Sequence, residues 1–492
     1  MRVFLRVLQV IAVTAFVFSC SQAFCFYPHN NDGTQDATTF LSAYPQATGT
    51  KLDSCTTCHK GGMPTGQKKS VGSCQYCHAM SGQVDTYNDF QATLNPYGLA
   101  YLGASITLGR TVAALRSIET LDSDGDGYSN IDEILTIHYP GDPNDTPAMV
   151  AAPSRVFSLA EIEKMPQVSQ FLLMNASKST DTYCEYTGVT MKKLLSTAGV
   201  LSSATGVTVF APDGFATSHP LQPVNTAGLY YLYGIYPQAD FFYDAQADIA
   251  KNPSTGWCDY SAPSCKGRMN GSPIYNPKGL QVILAFKRDG ELLVPGSLGP
   301  NNQLVGEGPF RVVPPQKMPG PPDQRATATD AADQNTWVWP YDTLGDHNAG
   351  FSAKTATMIR VDPLPKNTTD IDTSEAGWNY VDQNQVVVYG AIDPTPNVVE
   401  NIDALLSYLK SLNGSSFTKP SYKALALTEF NNAKNLIANG KLSAALSTLQ
   451  NKITPQFNGC GASYYLTDCT AQTQVNTSVY DMIILLQIVV TE

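Results

Sequence analysis

The sequence predicts a multidomain α+β protein: a small N-terminal segment packed around a prosthetic group, an acidic ion-binding loop, a mixed α/β middle domain and a C-terminal α-helical bundle. Three observations carry this. At 492 residues the chain is longer than one hydrophobic core usually organises. Strand-like alternation and short capped helices interleave with turn residues between 151 and 395. From 396 onward, apolar residues recur at three and four, the period of amphipathic helices. The boundaries read as 1–23, 24–115, 116–150, 151–395 and 396–492.

The first element, "MRVFLRVLQVIAVTAFVFSCSQA", has two arginines, an apolar run and small residues, the layout of a signal peptide cleaved after Ala23. Its apolar run is short for a membrane span. Cys20, in "VFSC", leaves a lipid-bearing cysteine as the alternative outcome, and simple cleavage is the reading preferred. The chain is thus expected to be exported, to the periplasm or cell surface of a bacterium. A net charge of −11 argues against nucleic acid as a partner, because phosphate recognition needs a basic face.

The next element holds "SCTTCHKGGMPTGQKKSVGSCQYCHAM", residues 54–80, with Cys-x-x-Cys-His twice. Two thiols at this spacing reach the two vinyl groups of one porphyrin, and the adjacent histidine reaches the iron. Cys55, Cys58 and His59 would hold one c-type haem; Cys74, Cys77 and His78 would hold a second. Zinc or a disulfide framework explains the cysteines less well, since neither asks for a histidine directly after each pair. The distal ligands decide between electron transfer and small-molecule binding. His29, in "FYPHNND", resembles the distal-ligand segment that precedes haem motifs in many multihaem cytochromes, and His138, in "LTIHYPGDPND", is the second candidate. Met63 and Met80 follow their own motifs too closely to pass round a macrocycle. Lys60, Lys68 and Lys69 read as a solvated loop.

Within 116–150, "DSDGDGYSNIDE" places Asp122, Asp124 and Asp126 at positions 1, 3 and 5 of an EF-hand-like loop. Gly127 follows at 6, the Tyr128 carbonyl at 7, Asn130 at 9 and Glu133 at 12. The loop is single, so the calcium it predicts is structural, stiffening the joint between the haem segment and the region beyond it.

Of eleven cysteines, four belong to the haem motifs and Cys20 to the signal. "CDYSAPSC" and "CGASYYLTDC" are short, turn-rich loops that predict bridges from Cys258 to Cys265 and from Cys460 to Cys469. Cys25 and Cys184 are left over, either paired or unpaired.

The middle region opens with "FSLAEIEKM", a short helix with Ser158 as cap and Glu161 three positions on. "VTMKKLLSTAGV" is a second helix, closed by Gly199. "GVTVFAPDGFATSHP" reads as a strand turning at Asp213 and Gly214; "GLQVILAFKRDGELLVP" reads as helix or strand followed by a hairpin at Asp289 and Gly290. "GEGPFRVVPPQ" ends in a short buried strand. "NTWVWPYDTLGDHNAGFS" gathers Trp337, Trp339, Tyr341 and His347 as core under long loops, and "TATMIRVDPLP" reads as a closing strand.

"YTGVTMKKLLSTAGV", "DGFATSHPL", "ILAFKRDGELL" and "GPFRVVPP" together resemble the molybdopterin-binding domain of the sulfite oxidase family. That family ligates molybdenum with a cysteine about where this chain has "FLLMNAS". Lacking it, the resemblance implies a fold kept without molybdopterin, and Cys184 is not expected to replace the ligand. "GEGP", residues 306–309, with the two haem motifs and the acidic loop, resembles the GEGP-motif-containing dihaem c-type cytochromes. Glu307 within it is expected to pair with Arg311 rather than to act on a substrate.

The C-terminal elements are helices around 398–412, 420–439, 441–452 and 476–490, with Gly440 between two of them. The final "MIILLQIVV" is short for a membrane crossing, so no membrane span is expected. The whole reads as an exported dihaem cytochrome acting in electron transfer with redox partner proteins, other multihaem cytochromes among them. The alternatives are an oxidoreductase whose middle domain binds a pterin or small substrate and feeds the haems, and a non-catalytic surface binding module.

Overall fold

The computed structural model describes residues 31–61, 91–176, 181–213, 215–223, 230–236, 242–243, 245–246, 258–274, 279–299, 304–317, 322, 347–372 and 377–491. The expected signal with Cys20, then Cys25, His29, the second haem motif (Cys74, Cys77, His78) and Trp337, Trp339 and Tyr341 lie outside the described residues. Within them the protein is a mixed α/β multidomain molecule.

Among the described residues the N-terminal unit has four α-helices: α1 (Asn31–Ala43), α2 (Pro96–Leu108), α3 (Val112–Ser117) and α4 (Asn130–Leu135). Three begin on capping side chains: Asn95, Thr111 and Ser129 accept the backbone N–H of Gly98, Ala114 and Asp132. Phe40, Tyr44, Leu52, Tyr97, Leu115, Ile118, Ile134 and Tyr139 form one core. The haem-motif segment and the acidic loop therefore share a core rather than forming two successive units.

The two larger sheets of the middle domain, among the described residues, face a common core. One is five-stranded, in the order β1 (Ser154–Ser158), β10 (Gln385–Gly390), β9 (Met358–Asp362), β4 (Gly206–Phe210), β5 (Ala216–Pro220). Only β9 and β10 run parallel. β9, read from sequence as a closing strand, is the central one, because residues 385–390 add beyond it. The other sheet is built on the antiparallel pair β2 (Val168–Met174) and β3 (Asp181–Thr190), extended by β6 (Ile283–Arg288), whose far edge takes both β7 (Glu291–Leu292) and β8 (Arg311–Val313).

Local chemistry places these strands. Asp289 and Gly290 take φ of 51° and 90°, the left-handed pair that a tight β6–β7 hairpin needs. Ser158 and Glu161 make the capping box of the short helix Leu159–Ile162. Helix α5 (Met191–Ala198) ends on Gly199 at φ 82°. In β10, Val386 and Val388 join the inter-sheet core, while Val387 and Tyr389 pack on the other side with Ala152 and Ile371.

The C-terminal region packs helices α6 (Thr395–Ser411), α7 (Pro420–Ala438), α8 (Leu442–Thr448) and α9 (Cys469–Thr491) round a third core that includes Ile402, Phe430, Leu449, Phe457 and Val479. A π-helical turn, Leu449–Ile453, continues α8. A disulfide joins Cys460 to Cys469. Helix α9 starts well before residue 476, and at 23 residues it is long and apolar enough to cross a membrane by length and composition. Length therefore gives no ground against a span. One side of the helix, including Val475, Val479, Met482 and Leu486, is buried in the bundle core.

Candidate functional site

The first Cys-x-x-Cys-His motif sits on a single 3-10 turn, Cys55–Thr57, capped by Ser54, whose Oγ accepts the Thr56 N–H. The His59 N–H donates to the Cys55 carbonyl at 2.8 Å, curling the chain so that the two cysteines and the histidine share one turn. Both cysteines are half-buried. Burial, then the charge of Asp36, pushes the Cys58 thiol up to about 12. The His59 Nδ1 lies 2.9 Å from Thr93 Oγ1, a contact that orients the ring.

The turn is clamped by the start of α2. Asn95, 5 % exposed, caps the helix at Gly98 through Oδ1 and donates its Nδ2 to the carbonyls of Thr56 (3.1 Å) and Thr57 (3.0 Å). Its own N–H donates to the Cys58 carbonyl at 3.0 Å. Gly98 is required here: a Cβ at this position would stand 2.2 Å from that same carbonyl oxygen. Thr93, Asn95 and Gly98 hold this turn, and the sequence reading did not single them out. The signal available was "NPYG", a capping residue followed by proline at the first helical position. Two sulfurs and an oriented imidazole on one turn fit a covalently attached haem.

His138 does not join this group. Its ring is 8 % exposed, with Nδ1 3.1 Å from Thr136 Oγ1 and Nε2 3.9 Å from Asp145 Oδ1, and burial holds its proton affinity below the usual histidine value. The second distal candidate thus sits in a buried polar junction. In that junction Lys51 Nζ meets Asp145 Oδ2 at 2.8 Å, both side chains being 3 % exposed. It also donates to Thr369 Oγ1 at 3.2 Å, while the Lys51 N–H donates to Asp372 Oδ1 at 2.9 Å. Thr369 in turn donates its hydroxyl to Asp145. The residue pairs Val150–Ala151 and Thr368–Thr369 run parallel beside it. A cleft of about 720 Å³ opens where the three units meet, lined by Lys51, His138, Asp370, Asp372, Tyr480 and Asp481 among others.

In the acidic loop the carboxylate oxygens of Asp122, Asp124 and Asp126 lie within 4.8 Å of one another. Asp122 accepts the N–H groups of Gly125, Asp126 and Gly127, and these backbone bonds, that of Gly127 foremost, hold its carboxyl below the usual range. Glu133 is fully buried. Burial, then the like charges of Asp124, Asp126, Asp145 and Asp122, pushes it up to about 9. Asn130, expected as a ligand, is buried with both ends of its amide engaged: Nδ2 donates to the Ile118 carbonyl at 2.7 Å and Oδ1 accepts the Ser123 N–H at 3.3 Å. It braces the loop.

At the GEGP turn, Glu307 Oε2 lies 2.8 Å from Arg311 Nη1 and accepts the Tyr186 hydroxyl at 3.0 Å, while Oε1 takes Arg288 Nη1 at 3.0 Å. Burial pushes Glu307 up, but Arg311 and Arg288 more than offset it, so the carboxyl ends below its ordinary value. This is a structural ion-pair knot spanning β6, β8 and β3. Cys184, on β3, is wholly buried, and burial pushes its thiol up to about 12.

The bridge expected between Cys258 and Cys265 is not formed; both are buried thiols. Cys258 is drawn into a parallel pairing with Asp181, whereas the Cys265 Sγ faces the Tyr183 carbonyl at 3.7 Å from the turn Pro263–Cys265. No protein-family model, no curated protein and no solved structure matches this chain.

Proposed function

We propose that the protein is an exported two-haem c-type cytochrome that passes electrons to or from other redox proteins, with a sulfite-oxidase-like middle domain acting as scaffold. The reading rests above all on the 55–59 turn, where Cys55 and Cys58 would bind the porphyrin and the His59 ring is oriented through Nδ1 by Thr93. A haem bound there supplies a one-electron iron couple. The chain's own contribution is to hold the turn with Asn95 and Gly98 and to keep the imidazole in one orientation. Cys74, Cys77 and His78 repeat the pattern and define the second haem.

The test is a pyridine haemochrome assay on mature protein from a host competent in cytochrome maturation. Two haems per chain are expected, falling to one in the Cys55→Ser/Cys58→Ser variant. Colourless wild-type protein, or an unchanged haem count in that variant, overturns the proposal.

A further inference from the structure

We propose that the 122–133 loop is a calcium site and that the ion fastens the N-terminal unit to the middle domain. The cluster of Asp122, Asp124 and Asp126 would not carry this by itself, since acidic turns are common. Glu133 does. It is 0 % exposed, and neither of its carboxylate oxygens has a hydrogen-bond partner; the same holds for both oxygens of Asp124 and for Asp126 Oδ2. A buried carboxylate is stable only when paired, hydrogen-bonded or bound to a metal. Here the charges acting on it are the carboxylates of Asp124, Asp126 and Asp122, at the positions that a calcium loop prescribes, together with that of Asp145.

The donors are all oxygen, which selects a hard cation. The long loop with a glutamate at its last position suits the larger calcium coordination sphere better than the octahedron of magnesium. With the Asn130 amide spent on Ile118 and Ser123, the protein ligands are Asp122, Asp124, Asp126, the Tyr128 carbonyl and Glu133, and water fills the ninth position.

Helix α4 and the residues after it link the ion to the middle domain. The His138 N–H donates to the Glu133 carbonyl at 2.8 Å, and the next N–H, that of Tyr139, donates to Asp145 Oδ2 at 2.9 Å. Asp145 is the buried partner of Lys51 and Thr369. Drawing Glu133 onto the ion therefore seats α4 and the adjoining turn directly on the junction with residues 368–372.

Calorimetric titration of the full mature protein with calcium chloride, after chelator treatment, should show one ion per chain, weakened at least tenfold by Glu133→Gln and by Asp124→Asn. Magnesium chloride should bind more weakly. Hydrogen exchange should slow on calcium addition at 130–139 and also at 366–372. Asp145→Asn should keep calcium binding but lose the protection at 366–372. Absence of binding to folded protein overturns the site, and magnesium binding as tight as calcium overturns the ion assignment. Calcium protection confined to the loop overturns the fastening. None of these outcomes bears on haem count, so this inference and the cytochrome reading fail separately.

Discussion

Asp481 shows how one side chain can set a pH dependence. It is the one charged residue of helix α9, beside the three-unit cleft, and burial pushes its carboxyl up to about 6 from an ordinary 3.8. Between those values the folded state holds a proton that the unfolded chain has released, so stability falls as pH rises from about 4 to about 6. Asp481→Asn should therefore raise the melting temperature at pH 7 to 8 and leave it unchanged below pH 4; equal shifts at both pH values would reject this account. Other single residues were readable from the sequence to different depths. The pairing of Glu307 with Arg311 follows from their spacing, whereas Arg288 and Tyr186 reach the same carboxylate only because β6, β3 and the turn are brought together in space. Nothing local in the sequence says that the His138 ring meets Asp145 and Thr136.

Among the elements, the start of α2 has the most to lose from a single change. Asn95 serves both as helix cap and as the clamp on the haem-motif turn. Asn95→Ala removes a cap worth about 1 kcal/mol and strands two carbonyls at about 1 kcal/mol each. Denaturation should show the N-terminal unit weakened by about 2–3 kcal/mol, with reduced haem incorporation. A loss under about 0.5 kcal/mol would mean the clamp is replaceable, as at an ordinary surface site. Short capped elements were legible because their signals are local: Ser158 with Glu161, Gly199, and Asp289 with Gly290 each mark a boundary that the fold uses. Strand β10 lacked such a signal. Its "VVVY" run is apolar at every position because both faces are covered, so alternation could not reveal it. The last helix was placed too short because the polar turn from Cys469 to Asn476 interrupts the apolar pattern without ending the helix.

At the scale of the whole molecule, the buried Lys51 and Asp145 pair carries a link from the N-terminal unit to the middle domain, since both side chains bond Thr369 and the Lys51 N–H donates to Asp372. Lys51→Met leaves Asp145 buried without its cation and should loosen the junction by about 3–5 kcal/mol. Adding Asp145→Leu should recover part of that loss, because removing both charges is gentler than removing one. Hydrogen exchange at 139–152 and 366–372 reads both effects, and a double variant no better than the single one would contradict them. The multidomain α+β organisation was legible from length and changing periodicity. The sharing of one core by the haem segment and the acidic loop was not, since it depends on Ile118, Ile134 and Tyr139 packing back onto Phe40 and Leu52.

The position of β10 between β1 and β9 sets an order of assembly. A polypeptide delivered amino end first presents residues 154–158 long before residues 385–390 arrive to pair with them, so the five-stranded layer stays open at its middle throughout delivery. The helices that surround the Cys55 turn can close during that interval, without waiting for the rest of the molecule.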